Sequence, residues 1–251
     1  MEAGFAPGDS LVLFVDQTAS AENIVTQMGA AKAGVSIVTF DEKESADALE
    51  HALASTKAKG LIFSPDSQVT EEKTRADVVN SLAPELSKMY PGQALNLAKF
   101  PSLKHIVQTG HNAMRGVNKF RDLPVYARPT ISSRQIPTNE PMFTSHVALQ
   151  GGQKVASFTS GEMVDYATEL WDSYLNMTKT NEHAIQPVFM SADLETPFGF
   201  ASLLACTSNL KKLFIPASFN MSKMLKSVPR QHSTFLICDE DFFNLEVPPA
   251  K

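Results

Sequence analysis

Residues 10–65 read SLVLFVDQTASAENIVTQMGAAKAGVSIVTFDEKESADALEHALASTKAKGLIFSP, and three short apolar runs within them decide the fold. The runs SLVLFV (10–15), VSIVTF (35–40) and GLIFSP (60–65) are too short for buried helices and rich in β-favouring residues, which marks them as buried strands. Between the first two, the spacing predicts a helix over 22–33, with Ser20 as its cap, Gly34 as its stop, and Ile24, Met28 and Ala31 on one face. A second helix starts behind Ser45, carries Asp47 in its first turn and turns Leu49, Ala52 and Leu53 inward. A third helical pattern over 76–89 leads to a fourth strand, KHIVQTG (104–110). Strands alternating with amphipathic helices predict a mainly parallel α/β layer structure.

Composition bounds what such a chain can do. Its 251 residues, 43% of them hydrophobic, suffice for one large core or two smaller ones. A net charge of −5 offers no general attraction to nucleic acid or anionic membrane, so neither is expected as a partner. Cys206 and Cys238 lack metal-ligand spacing and are expected as buried thiols in a reducing compartment. No apolar run approaches the roughly 18 residues of a membrane span, and MEAGFAPGDS, at the start, shows no signal or transit pattern.

The rhythm breaks between His111 and Phe143. Pro124, Pro129, Pro137 and Pro141 predict an extended, irregular connection, and Arg115, Lys119, Arg121, Arg128 and Arg134 make it locally basic, a candidate strap for an acidic partner. Alternation resumes with the strand KVASF (154–158) and a helix presenting Met163, Tyr166, Ala167, Leu170, Trp171 and Tyr174 on one face. Further strands are expected in QPVFM (186–190), LFIP (213–216) and STFLIC (233–238), separated by helices near 200–206 and 221–228. The expected organisation is a first lobe over 1–110, a connecting segment over 111–150 and a partial second lobe over 151–251. No catalytic constellation stands out. Ser160 lacks the Gly-x-Ser-x-Gly elbow of a nucleophile, Glu182-His183 lacks a second ligand at helical spacing, and Asp239-Glu240-Asp241 reads as a solvated turn.

These segments resemble the AMP-forming acyl-CoA synthetases. The order of GDSLVLFV, GAAKAG, LEHAL and KGLIF is similar to that family's first lobe, and LAPELSKMYPGQALNLAKFPSLKHIVQTG resembles mitochondrial medium-chain acyl-CoA ligases in particular. FTSG (158–161) stands where the family's phosphate loop opens, and the stretch from Pro197 to Leu245 is similar to the family's segment beyond that loop. In the family the loop continues with further glycines and a lysine. Glycines let backbone amides approach phosphate, hydroxyls donate hydrogen bonds, and lysine neutralises charge. Here Thr159, Ser160 and Gly161 are succeeded by Glu162; the next glycine is Gly199 and the next lysine Lys179. Thr196 replaces a family histidine, and the family's magnesium-holding glutamate, ribose-binding aspartate and adenylation lysine have no counterpart in these residues.

The resemblance with these departures predicts a truncated, degenerate synthetase with a vestigial phosphate loop, no metal, no cofactor and no small-molecule ligand. It would serve as a non-catalytic accessory subunit of a larger mitochondrial assembly, respiratory or ribosomal, bound to other protein subunits. Two alternatives are one half of a split acyl-CoA ligase and an acyl- or CoA-binding module that does not adenylate.

Overall fold

The three deciding runs do form adjacent parallel strands. β1 (Ser10–Phe14) pairs with β2 (Ser36–Phe40) through Leu11↔Ile37 and with β3 (Gly60–Phe63) through Val12↔Leu61. The computed structural model describes residues 4–16, 20–40, 45–123, 135–149, 152–178, 187–216 and 235–238. With β4 (His105–Gln108), β5 (Asn118–Lys119), β6 (Pro141–Leu149) and β7 (Gly152–Thr159), these strands make a seven-stranded sheet in the order β5-β4-β3-β1-β2-β6-β7. Every pairing is parallel except the β6–β7 hairpin.

Alternate strand residues face opposite helices, as the two-residue period of a strand requires. Val12, Phe14, Val38, Phe40, Leu61, Phe63 and Ile106 pack against α2 (Ala46–Ser55) and α3 (Arg75–Leu82) in the main core. The other face meets α1 (Ser20–Ala33). As expected, the Ser45 oxygen accepts the Ala48 N–H at 3.1 Å, and Leu49, Ala52 and Leu53 are buried. Gly34 ends α1 at φ +71°, a left-handed geometry that glycine adopts without penalty.

Four expectations are corrected within this unit. Ser20 is the first residue of α1 rather than a cap outside it. The buried side of α1 is Asn23, Thr26, Gln27 and Ala30, while Ile24, Met28 and Ala31 are only half-buried. Burial of those polar side chains is offset locally: Gln27 Nε2 donates to Asn23 Oδ1 at 2.7 Å, and Thr26 Oγ1 to the Glu22 carbonyl at 2.7 Å. The helix expected over 76–89 ends at Leu82, because Pro84 disfavours helical backbone at Ala83, and a 3₁₀ turn (Pro84–Lys88) completes it. Finally, Pro141 opens a strand instead of belonging to an irregular connection, so β5, β6 and β7 all join the first sheet.

The chain divides into two compact units, Met1–Gly161 and Glu162–Lys251. In the second, β8 (Val188–Met190) lies between β9 (Leu213–Phe214) and β10 (Phe235–Ile237) in a parallel three-stranded sheet. Along α4 (Ser160–Thr178), Met163, Ala167, Trp171 and Tyr174 are buried as expected, whereas Tyr166 and Leu170 are only half-buried. The Tyr174 hydroxyl meets Ser202 Oγ on α5 (Pro197–Ser208) at 2.9 Å. Cys206 is buried as expected, but Cys238 is only half-buried; neither is in a disulfide. The helix expected over 221–228 lies outside the described residues.

Candidate functional site

Thr159, Ser160 and Gly161 sit where β7 becomes α4. Thr159 is the last strand residue and Ser160 the first helical one, with no loop between them. The first amides of a helix have no partner within it and can therefore bind anions. Here two are already engaged: Ser160 N–H donates to the Glu140 carbonyl and Gly161 N–H to the Thr138 carbonyl, both at 2.8 Å. A side chain at position 161 would put its Cβ 3.1 Å from the Thr138 oxygen, so glycine allows the turn before β6 to approach this closely. Glu162 comes next, exposed in the first turn, where a carboxylate suits the helix dipole and opposes a polyphosphate. The junction is built as a folding joint.

The basic residues singled out from the sequence are not brought together by the described structure. Arg115 and Arg121 are exposed. Arg121 Nη1 lies 3.4 Å from His111 Nδ1, and its Nε 3.8 Å from Asp122. Arg128 and Arg134 lie outside the described residues, as do Glu182-His183 and Asp239-Glu240-Asp241. Thr196, at the position of the family's histidine, caps α5 by accepting the Gly199 N–H at 3.0 Å.

Two arrangements escaped the sequence reading. The first lies at the carboxyl ends of β1 and β3, where the crossovers leave for opposite faces of the sheet; in open parallel sheets such a switch point is where ligands bind. Ser64 Oγ accepts the Asp16 N–H at 3.3 Å and the Thr109 hydroxyl at 3.0 Å, and Ser67 donates to the Asp16 carboxylate. Buried Arg75 donates Nη1 to the Phe14 carbonyl at 3.2 Å, with its guanidinium 4.8 Å from the Phe14 ring centre. These groups satisfy one another, so the network ties β1, β3 and α3 together rather than presenting open valences. Asp16 and the Ser-Pro-Asp-Ser run after β3 were the available signals.

The second is a histidine pair. His146 on β6 is buried, with its ring 5.5 Å from that of His51 on α2 and neither ring nitrogen hydrogen-bonded. Loss of water around it, and then the neighbouring His51, hold its pKa below the ordinary histidine value. No third ligand joins them: among the described residues no group of three His, Cys, Asp or Glu could hold a metal ion. Burial raises the Cys206 thiol to about 12, so it stays protonated and unreactive. Among the described residues no helix is long and apolar enough to cross a membrane.

Comparison with known proteins gives the architecture a class. No family model matches the chain. YngI of Bacillus subtilis (strain 168), which carries the name of an acyl-CoA synthetase, is 29% identical over 128 residues, 51% of this chain and 22% of YngI. A structure from Rhodopseudomonas palustris CGA009, named as a long-chain-fatty-acid CoA ligase, matches with a TM-score of 0.73 at 14% identity, over 97% of this chain and 53% of that one. The anthranilate CoA ligase AuaEII, in complex with anthranoyl-AMP, matches with a TM-score of 0.68 at 17% identity, over 94% of this chain and 40% of that one.

The fold is therefore that of the N-terminal domain of acyl-CoA ligases, and the sequence match supports the AMP-forming acyl-CoA synthetase superfamily. The chain spans about half or less of the length of these relatives. One expectation is overturned here. The reading of a degenerate, non-catalytic protein rested on the short Thr-Ser-Gly stretch, Glu162, Thr196 and the missing family motifs, but the relative and the structural neighbours are named as acyl- and aryl-CoA ligases, which are enzymes. Nothing in them supports a purely accessory role.

Proposed function

We propose that this chain forms one half of an acyl-CoA ligase, with the adenylating machinery supplied by residues outside these 251. The observation that carries this reading is the extent of the fold match: nearly all of this chain superposes on about half of a ligase. The β7–α4 junction agrees with it. Its first amides are bonded to Thr138 and Glu140, so the grip on triphosphate is assigned to the complementary half and no step of the chemistry to Thr159, Ser160 or Gly161. The likeness of residues 82–110 to mitochondrial medium-chain ligases favours a medium-chain acyl substrate and a mitochondrial setting. A partner half would meet this chain through protein surface, and exposed Arg115 and Arg121 offer it positive charge. Purification from the native source through a tag on this chain, with identification of the co-purifying chains, tests the proposal. One ligase-like companion is the expected result, and an assembly of many subunits without one would overturn it.

A further inference from the structure

His146 stands level with the end of β2, where its register partner is Phe40, and its ring meets that of His51 on α2. The ring centres are 5.5 Å apart and the planes lie at 76°. His146 is 2% exposed while His51 is at the surface, so the pair runs from the interior to solvent. This is the carboxyl end of the parallel strands, the end at which open α/β sheets receive ligands. Neither ring nitrogen of His146 has a hydrogen-bond partner. A buried polar side chain left in that state costs stability, and phenylalanine would fill the space without the cost. Edge-to-face ring contact is equally open to phenylalanine, so it does not account for the nitrogens.

Two neutral imidazoles side by side are what a transition-metal ion needs. A zinc–imidazole bond of about 2.0–2.1 Å puts the ion about 3.2 Å from each ring centre. Rings whose centres are 5.5 Å apart then subtend about 120° at an ion between them. Zn²⁺ accepts that near-tetrahedral angle, whereas square-planar Cu²⁺ asks for about 90° or 180°. Among the described residues no third His, Cys, Asp or Glu joins the pair, so water completes the coordination from the exposed His51 side. A ligating imidazole must also be unprotonated. Burial, and then the neighbouring His51, already hold the His146 pKa below its ordinary value, which keeps the ring neutral at neutral pH.

We propose that His51 and His146 together bind a tetrahedral divalent cation such as Zn²⁺, with water in the remaining positions. The ion ties α2 to β6, and the site is independent of the ligase reading. Calorimetric titration of the chelator-stripped full chain with Zn²⁺ tests it, beside thermal unfolding with and without the ion. Saturable binding is expected, and the melting temperature should rise with Zn²⁺ concentration, because an ion held by the folded chain stabilises it. His51→Ala changes an exposed position, and His146→Phe keeps a buried ring in place. Each should weaken the binding by about tenfold or more and remove most of the rise in melting temperature. A structural role for the ring pair alone would leave Zn²⁺ without effect on either readout. If His146→Phe fails to fold by circular dichroism, His51→Ala decides by itself. Absence of saturable Zn²⁺ binding would overturn the proposal. Affinity unchanged in His51→Ala would assign the ion to other groups of the chain and overturn it as well.

Discussion

Gly199 and Gly29 both lie within helices, yet their surroundings predict opposite responses to a methyl group. A Cβ on Gly199 would fall 1.8 Å from the Asp193 carbonyl oxygen, a backbone atom that cannot step aside alone. Gly199→Ala should therefore destabilise the second unit by about 3 kcal/mol or more, read from the fluorescence of Trp171, the chain's single tryptophan. Gly29→Ala meets nothing within 4 Å and should stabilise α1 by about 0.5–1 kcal/mol, read by thermal unfolding. Equal effects at the two sites would contradict these environments. His146 sets a pH dependence. Its folded pKa is lowered by burial, whereas the unfolded chain takes up that proton near the ordinary value of about 6.5. Between the two values the unfolded state holds more protons, so stability is full above about 6.5 and falls as pH drops through the folded value. Denaturant melts at successive pH values should show that decline, and His146→Leu should reduce it. These residue environments were only partly legible in the sequence. Thr-Ser-Gly was visible as a motif, but the bonds of its amides to Thr138 and Glu140 depend on how β6 and β7 pair, and a linear pattern does not carry that.

Among the elements, those with an apolar period or a cap were readable and those set by long-range partners were not. The runs at 10–15, 35–40, 60–65 and 104–110 became β1 to β4, and Ser45 capped α2 as expected. β6 was missed because Pro141, read as part of a proline-rich connection, is tolerated as the first residue of a strand. The buried face of α1 was misassigned because a hydrogen bond from Gln27 to Asn23 accompanies the burial of both, which composition alone disfavours. The start of α3 offers a direct test of an element joint. Thr74 and Asp77 form a reciprocal cap there, and the next residue, Arg75, is 4% exposed beneath the end of β1. Arg75→Ala removes the donor to the Phe14 carbonyl and the cation over its ring. Urea melts should show a loss of about 2–4 kcal/mol. A change below about 0.5 kcal/mol would mean that the guanidinium does not hold β1 and α3 together.

On the scale of the molecule, parallel α/β architecture was legible because each buried strand is apolar on both faces, which parallel sheets require. Function was less so. A short motif suggested lost chemistry, whereas nearly all of the chain shares its fold with about half of a protein named as a ligase. The histidine pair was invisible in the sequence, since His51 and His146 meet only once β6 pairs with β2 beside α2. The central claim, that this half works with a complementary half, is tested most directly by acyl-dependent exchange of pyrophosphate into ATP. The assay is run on the isolated chain and on the assembly purified through it, with medium-chain acids as substrates. No exchange by the chain alone and clear exchange by the assembly is the predicted result. Exchange absent from both, with no ligase-like companion present, would contradict it.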